Sequence, residues 1–283
     1  MQNPIKFIAL LLLCTMISCT DVIDVDVQTD TIRLVVEASL DWEKGTAGNE
    51  QSITLRTSTP FFDTQSTDVV GAQVKVTNDV NGEVYLFTDQ NDGTYTTTTF
   101  NPQLEASYTL EIIYDGQTYT ANDTMNPVAD IIDVFQDTED GFDDETIELH
   151  IVFNDFEAEG DNYFFKYERP QDLLPILESG DDEFINGNEV DWWFEINDDE
   201  DDDEEGNIKP LAPGDVVTIN MHSISRPYYN YIDIVIDQLG GVGIFESTPV
   251  AIKGNCINTT NPDNYAHGYF RVTQKNTIIY TVE

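Results

Sequence analysis

From Thr31 onward, apolar and polar positions alternate with a period of two, the repeat of a strand that buries one face and exposes the other. The segments IRLVVEASL (32–40), SITLRTST (52–59), AQVKVTN (72–78), EVYLFTD (83–89), GTYTTTTF (93–100), SYTLEIIY (107–114) and QTYTANDT (117–124) are rich in Val, Ile, Thr and Tyr. Turn-forming pairs stand at Asn81-Gly82, Asp92-Gly93 and Asp115-Gly116. Short strands punctuated in this way predict an antiparallel β-sandwich over residues 31–127, ending at Asn126-Pro127.

A second β-rich domain is expected over residues 128–283. ETIELHIVFND (145–155), NYFFKYERP (162–170), VDWWFEIND (190–198) and GDVVTINMHSIS (214–225) read as its strands, and the tail beyond Glu246 returns to strands with Asn/Gly/Pro loops. One segment breaks the period. In RPYYNYIDIVIDQLGG, Pro227 suits a first helical turn, and Tyr228, Tyr231, Ile232, Val235, Ile236 and Leu239 recur at three- and four-residue spacing before Gly240-Gly241. That pattern predicts a helix near 227–239. The fold class is therefore mainly β, with one or two helices in the second domain.

The first thirty residues follow a different rule. Lys6 precedes an apolar run from Phe7 to about Leu13, too short to span a bilayer, and Met16-Ile17-Ser18-Cys19 follows. Residues 1–18 read as an export signal of the lipoprotein kind, with a small residue ahead of Cys19. A plain secretory signal or an uncleaved short anchor are the competing readings. Residues 19–30 form an acidic leader in which Asp21, Asp24 and Asp26 are spaced by Val and Ile, a spacing that a first strand would also show.

Charge changes the picture of partners. The chain carries 54 Asp and Glu against 12 Lys and Arg, a formal net charge of −42. Such a surface repels nucleic acid, so no nucleic-acid partner is expected. The acid is concentrated: between residues 137 and 205 the only basic side chains are Lys166 and Arg169, and Asp198–Glu205 is an unbroken run of carboxylates. Asp201, Asp203 and Glu205 with Gly206 imitate half of a calcium-binding loop. Ala212 stands where the bidentate Glu is needed, and Pro210 interrupts the following helix. Loose calcium binding is the most this run supports, and a solvated loop is the plainer alternative.

No signature of catalysis emerges. The three histidines, His150, His222 and His267, share no zinc-ligand spacing and read as structural. The chain lacks G-x-S-x-G, HExxH and a phosphate-cradling glycine loop. Cys256 in GNCIN has neither a His nor a base beside it and reads as a small buried apolar residue. No enzyme activity and no cofactor are expected. Trp192, Trp193, Tyr228 and Tyr229 are the candidate partner surface, weighed against a core role, and adjacent tryptophans in a strand must face opposite sides.

Three resemblances refine these expectations. Ser18-Cys19 resembles the bacterial lipobox, with Met16 where Leu is preferred, which implies cleavage before Cys19 and acyl chains such as palmitate on it. The stretch DGTYTTTTFNPQLEASYTLEIIYDGQTYTA resembles immunoglobulin-like and carboxypeptidase-regulatory-like exported domains. The early strand DVIDVDVQTDTIRLVVEASL and the distal cluster Gly254-Asn255, Asn258 and Gly268-Tyr269-Phe270 resemble the Bacteroidetes lipoprotein family catalogued as domain of unknown function 4249. Cys256 and His267 inside that cluster, and the acidic run, depart from the family pattern.

That last resemblance implies a lipid-anchored outer-membrane protein, cell-surface exposed, acting as accessory or ligand-capturing partner of a TonB-dependent barrel receptor. The alternatives are a structural subunit of a larger assembly or secretion complex and an exported hydrolase. Asp30-Thr31-Ile32 and Asp123-Thr124-Met125 match the O-glycosylation pattern of the same phylum, making Thr31 and Thr124 candidate acceptors.

Overall fold

The computed structural model describes residues 31–60, 66–139, 146–196, 209–240 and 252–283. Sixteen strands and one helix occur among them. The first eight strands are β1 (Leu34–Glu43), β2 (Gln51–Thr57), β3 (Thr67–Asp68), β4 (Gln73–Asn78), β5 (Val84–Asp89), β6 (Thr94–Thr97), β7 (Ser107–Tyr114) and β8 (Gln117–Thr124). Alternation dictates their packing: Val36, Ala38 and Leu40 of β1, Ile53 and Leu55 of β2, and Tyr108, Leu110 and Ile112 of β7 all point into one core. The β7–β8 hairpin closes through Asp115-Gly116, both at positive φ (48° and 70°), the backbone of a tight two-residue turn.

The second half comprises β9 (Ile131–Asp137), β10 (Glu148–Asn154), β11 (Asn162–Glu168), β12 (Ile176–Asp181), β13 (Glu189–Glu195), β14 (Val216–Ser223), helix α1 (Arg226–Gly240), β15 (Ile257–Asn258) and β16 (His267–Thr281). A three-stranded sheet in the order β13-β10-β9 faces β12-β11-β14 across a second core containing Leu149, Ile151, Phe153, Phe165, Phe194, Val217 and Ile219. The fold is mainly β and sandwich-like in both halves.

Strand β16 ties the two cores together. Its first part pairs in parallel with β1, from Val35↔His267 to Glu43↔Lys275, and its last part pairs antiparallel with β14, from His222↔Lys275 to Val216↔Thr281. Phe270 and Val272, together with Cys256 and Ala266, complete the first core, although the sequence boundary at 127 assigns all four to the second domain. Burial pushes the Cys256 thiol up to about 12, which keeps it protonated and inert at neutral pH.

Strand β11 explains why NYFFKY shows no clean alternation. Tyr163, Phe165 and Tyr167 fill the second core, while Phe164 points the other way, beneath α1. A strand covered on both faces loses its polar rows. Strands β9 and β12 were not expected from sequence; both are sheet edges, and neither has a fully buried row.

Candidate functional site

Helix α1 starts where the Ser225 hydroxyl accepts a hydrogen bond from Tyr228 N at 3.3 Å, a capping contact for a free helix-end amide. Its apolar face lays Tyr228 and Ile232 on Phe164, Ile224 and Tyr269. Tyr228 meets Tyr269 edge-on at a ring distance of 4.9 Å, and Tyr231 lies 4.7 Å from the same ring. The flank of the helix, with Asn230, Tyr231 and Ile234, faces Ile252, Lys253 and Tyr269 across a groove of about 350 Å³. Ile234 is 42% exposed there.

The family-like cluster beside this groove is built from backbone contacts. Asn255 donates to Phe270 O at 2.7 Å and accepts from Phe270 N at 2.9 Å, so an amide side chain substitutes for a neighbouring strand. Asn258 accepts from the amides of Thr260 and Asn261 and donates to Asn264 O, holding the loop that leads into β16.

Beneath the helix, Arg271 is buried. Its guanidinium reaches Asp41 at 3.1 Å and Ser39 Oγ at 3.0 Å, and lies 5.2 Å from the Tyr228 ring centre. Burial alone would raise the Asp41 carboxyl. Arg271, followed by His222 and Lys275, outweighs that and holds it well below the usual carboxylate range.

Two further groups of ionisable side chains converge in the second half. Around His150, Nδ1 lies 2.9 Å from Asp191 Oδ1, and Nε2 lies 3.2 Å from Asp137 Oδ1 and 3.4 Å from Glu148 Oε2. Burial would lower the imidazole pKa, but Asp191 and then Asp137 raise it above its ordinary value.

Just beyond β10, ahead of β11 and after β12, Asp155, Asp161 and Asp182 bring carboxylate oxygens within 4.8 Å of one another. Asp155 accepts from the Tyr163 hydroxyl and from Gly187 N, and Asp182 accepts from Gly160 N at 2.6 Å and Asp161 N at 3.0 Å. Asp161 Oδ2 is buried without a hydrogen-bond donor among the described residues. Burial, then the charges of Asp155 and Asp182, push Asp161 up to about 6.

A raised folded-state carboxyl costs stability at pH 7 and returns it as the pH falls through about 6 toward the unfolded value. Asp161→Asn is therefore expected to raise stability at pH 7 by about 1 kcal/mol, after allowance for solvent screening, and by nothing measurable at pH 4. Urea midpoints at the two pH values check this, and an equal gain at both would refute the electrostatic cause.

The residues singled out in sequence fall into three groups. Cys19 and the calcium candidates Asp201, Asp203 and Glu205 lie outside the described residues. Thr31 is exposed ahead of β1, whereas Thr124 is half-buried in β8 between buried Asp123 and Met125. Of the aromatic surface, two members turn inward. Tyr228 is buried under α1 because the helix docks by that face. Trp192 stacks on Phe165 at 4.8 Å and donates its indole N–H to Glu178 at 2.8 Å. Trp193, on the opposite face of β13, and Tyr229 are half-buried. The His150 group went unnoticed in sequence; its one local signal is the two-residue spacing of Glu148 and His150, which puts both on one strand face.

The architecture defines a class: a β-rich protein with two cores joined by one shared strand and a helix-flanked groove at the junction. The chain belongs to the family described as Domain of unknown function (DUF4249), whose model matches residues 20–279. No functionally curated protein matches it.

Among solved structures it is similar to a two fibronectin type-III domain segment of chicken tenascin, at 13% identity over 81% of this chain and 100% of that one, with a TM-score of 0.22. It is also similar to the chicken CNTN1 FN1–FN3 domains, at 12% identity over 67% and 60% of the two chains with a TM-score of 0.25. A DUF4785 family protein from Legionella pneumophila matches at 12% identity over 66% and 52%, with a TM-score of 0.28. At such scores none of these likenesses bears on function. Among the described residues no helix is long and apolar enough to cross a membrane.

Proposed function

We propose that this chain is a lipid-anchored outer-membrane lipoprotein that works without catalysis, as the accessory or ligand-capturing partner of a TonB-dependent barrel receptor. The observation that carries the reading is the groove along α1. In a chain of net charge −42, it offers Tyr231, Tyr269, Ile234 and Ile252 beside one exposed lysine, Lys253. An aromatic and aliphatic cleft with a polar rim suits an inserted apolar side chain of a partner loop. The signal-like residues 1–18 and Cys19 supply the tether, and the family resemblance supplies the kind of partner.

Affinity purification of the tagged full-length chain from detergent-solubilised membranes tests this. A single barrel receptor is expected, with recovery falling at least about tenfold for Ile234→Asp, the loss of one central apolar contact. Because Ile234 is 42% exposed, the variant should keep the parent urea midpoint. Capture of a many-subunit assembly would favour a structural subunit of a secretion or assembly complex, and unchanged recovery of the barrel by Ile234→Asp would remove the groove from the interface.

A further inference from the structure

The three-stranded sheet has one face in the second core and another that carries chemistry. The register sets His150 of β10 opposite Phe135 of β9 and Trp193 of β13, with Glu148, Asp137 and Asp191 on the same side. Phe135 lies flat on the imidazole, with rings 4.5 Å apart and 11° from parallel. His150 and Glu148 have side-chain exposures of 1% and 0%, while Asp137 and Asp191 keep 34% and 47%. The imidazole is thus clamped, with one buried and two accessible carboxylates around it.

The hydrogen bond to Asp191 decides what the other nitrogen does. An ionised carboxylate only accepts, so Nδ1 carries the proton in its 2.9 Å contact with Asp191 Oδ1. In the neutral ring, Nε2 then presents its lone pair to Asp137 and Glu148, an arrangement that repels unless a cation stands between them. A protonated ring removes the local clash but still leaves three carboxylates around one positive charge.

We infer that Asp137, Glu148 and His150 form a site for a divalent first-row transition-metal ion, with Asp191 as the outer partner that orients the imidazole. The geometry fits the class of ion. Ligands about 2.0–2.1 Å from a tetrahedral zinc are about 3.3–3.4 Å from each other. The two Nε2-to-oxygen separations are 3.2 and 3.4 Å, and all three donor atoms lie within 4.8 Å of one another.

Calcium and magnesium take oxygen ligands, so an imidazole at the centre selects against them. A carboxylate on the remote ring nitrogen is the usual outer-shell device of such sites. Three protein donors leave one tetrahedral position for water. The inference stands apart from the receptor reading, since the site lies on the second sandwich and shares no residue with the α1 groove.

Zinc is the probe, because N/O sites hold it more tightly than Mn²⁺ or Fe²⁺. The full-length protein in detergent, stripped with EDTA and dialysed at pH 7.5, is titrated with Zn²⁺ against a chromophoric chelator. One equivalent per chain is expected, with affinity reduced about 10- to 100-fold in Asp191→Asn and at least as much in Asp137→Asn.

Both variants change partly exposed side chains, so their melting temperatures in EDTA serve as the check on folding, and zinc should raise the melting temperature of the parent protein alone. His150→Gln is the third variant, interpreted only if it folds. A purely structural imidazolium makes different predictions: no stoichiometric zinc in the parent protein, or zinc held equally by the parent and Asp137→Asn. Either result overturns the inference.

Discussion

Gly268→Ala is expected to cost about 4 kcal/mol of folding free energy, at the upper end of what single substitutions do. Gly268 sits at φ +85° in the parallel ladder, opposite Val36, and a Cβ there would overlap the Val36 carbonyl oxygen and lie 2.8 Å from its carbon. On the other side Gly254 abuts Gly268, so a Cβ on Gly254 would overlap the Gly268 carbonyl. Both obstacles are backbone, and no rotamer relieves them.

The same substitution at Gly116 separates this packing cost from conformational strain. Gly116 also has positive φ, at +70°, but nothing lies within 4 Å of the added atom, so only about 1 kcal/mol is expected. Urea midpoints of the two variants decide: equal losses would mean that the junction of β1, β16 and the 254 segment is not tightly closed.

That junction also shows which parts of the molecule were legible in sequence. Seven of the eight strands from 31 to 127 announced themselves because one face of each is buried and the other is not, so period two survives, and because Asp115-Gly116 and its counterparts mark the reversals; the two-residue β3, exposed on both sides, carries no such pattern. Helix α1 was visible for the matching reason, an apolar stripe at helical spacing.

The partners of a strand carry no such local mark. Nothing in HGYFRVTQKNTIIYT says that its first half joins β1 and its second half β14, since that choice is made by contacts with strands distant in sequence, β1 lying at the opposite end of the described chain. Direction within an element was equally hidden. Tyr228 and Tyr229 differ by one position on a helix, yet one is buried and the other half-buried. The His150 group needs three strands in register before its donors meet, and spacing along one strand reveals only Glu148 and His150.

Replacing Arg271 by Met should destabilise the protein by about 3 kcal/mol at pH 7, the lower end of the cost for a buried pair, because it strips the half-buried Asp41 carboxylate of its main counter-charge. Arg271 holds Asp41 from β16 while its guanidinium faces Phe164 of β11 and Tyr228 of α1, so one cation binds both sandwiches and the helix.

The pH dependence identifies the cause. In the parent protein Asp41 titrates far below its unfolded value, so its contribution is fully present above about pH 4 and is lost only as the pH falls through that depressed value. Without Arg271, burial is expected to outweigh His222 and Lys275 and to carry the Asp41 pKa above the unfolded value. The native variant then binds the extra proton, so its deficit is largest at neutral pH and shrinks on acidification. Adding Asp41→Asn removes the stranded charge and should recover part of the loss at pH 7, as expected when both members of an ion pair go together. Urea midpoints at pH 7 and 5 for the parent, the single and the double variant test all of this. A deficit that is independent of pH and unrelieved by Asp41→Asn would show that Arg271 acts through packing of its side chain alone.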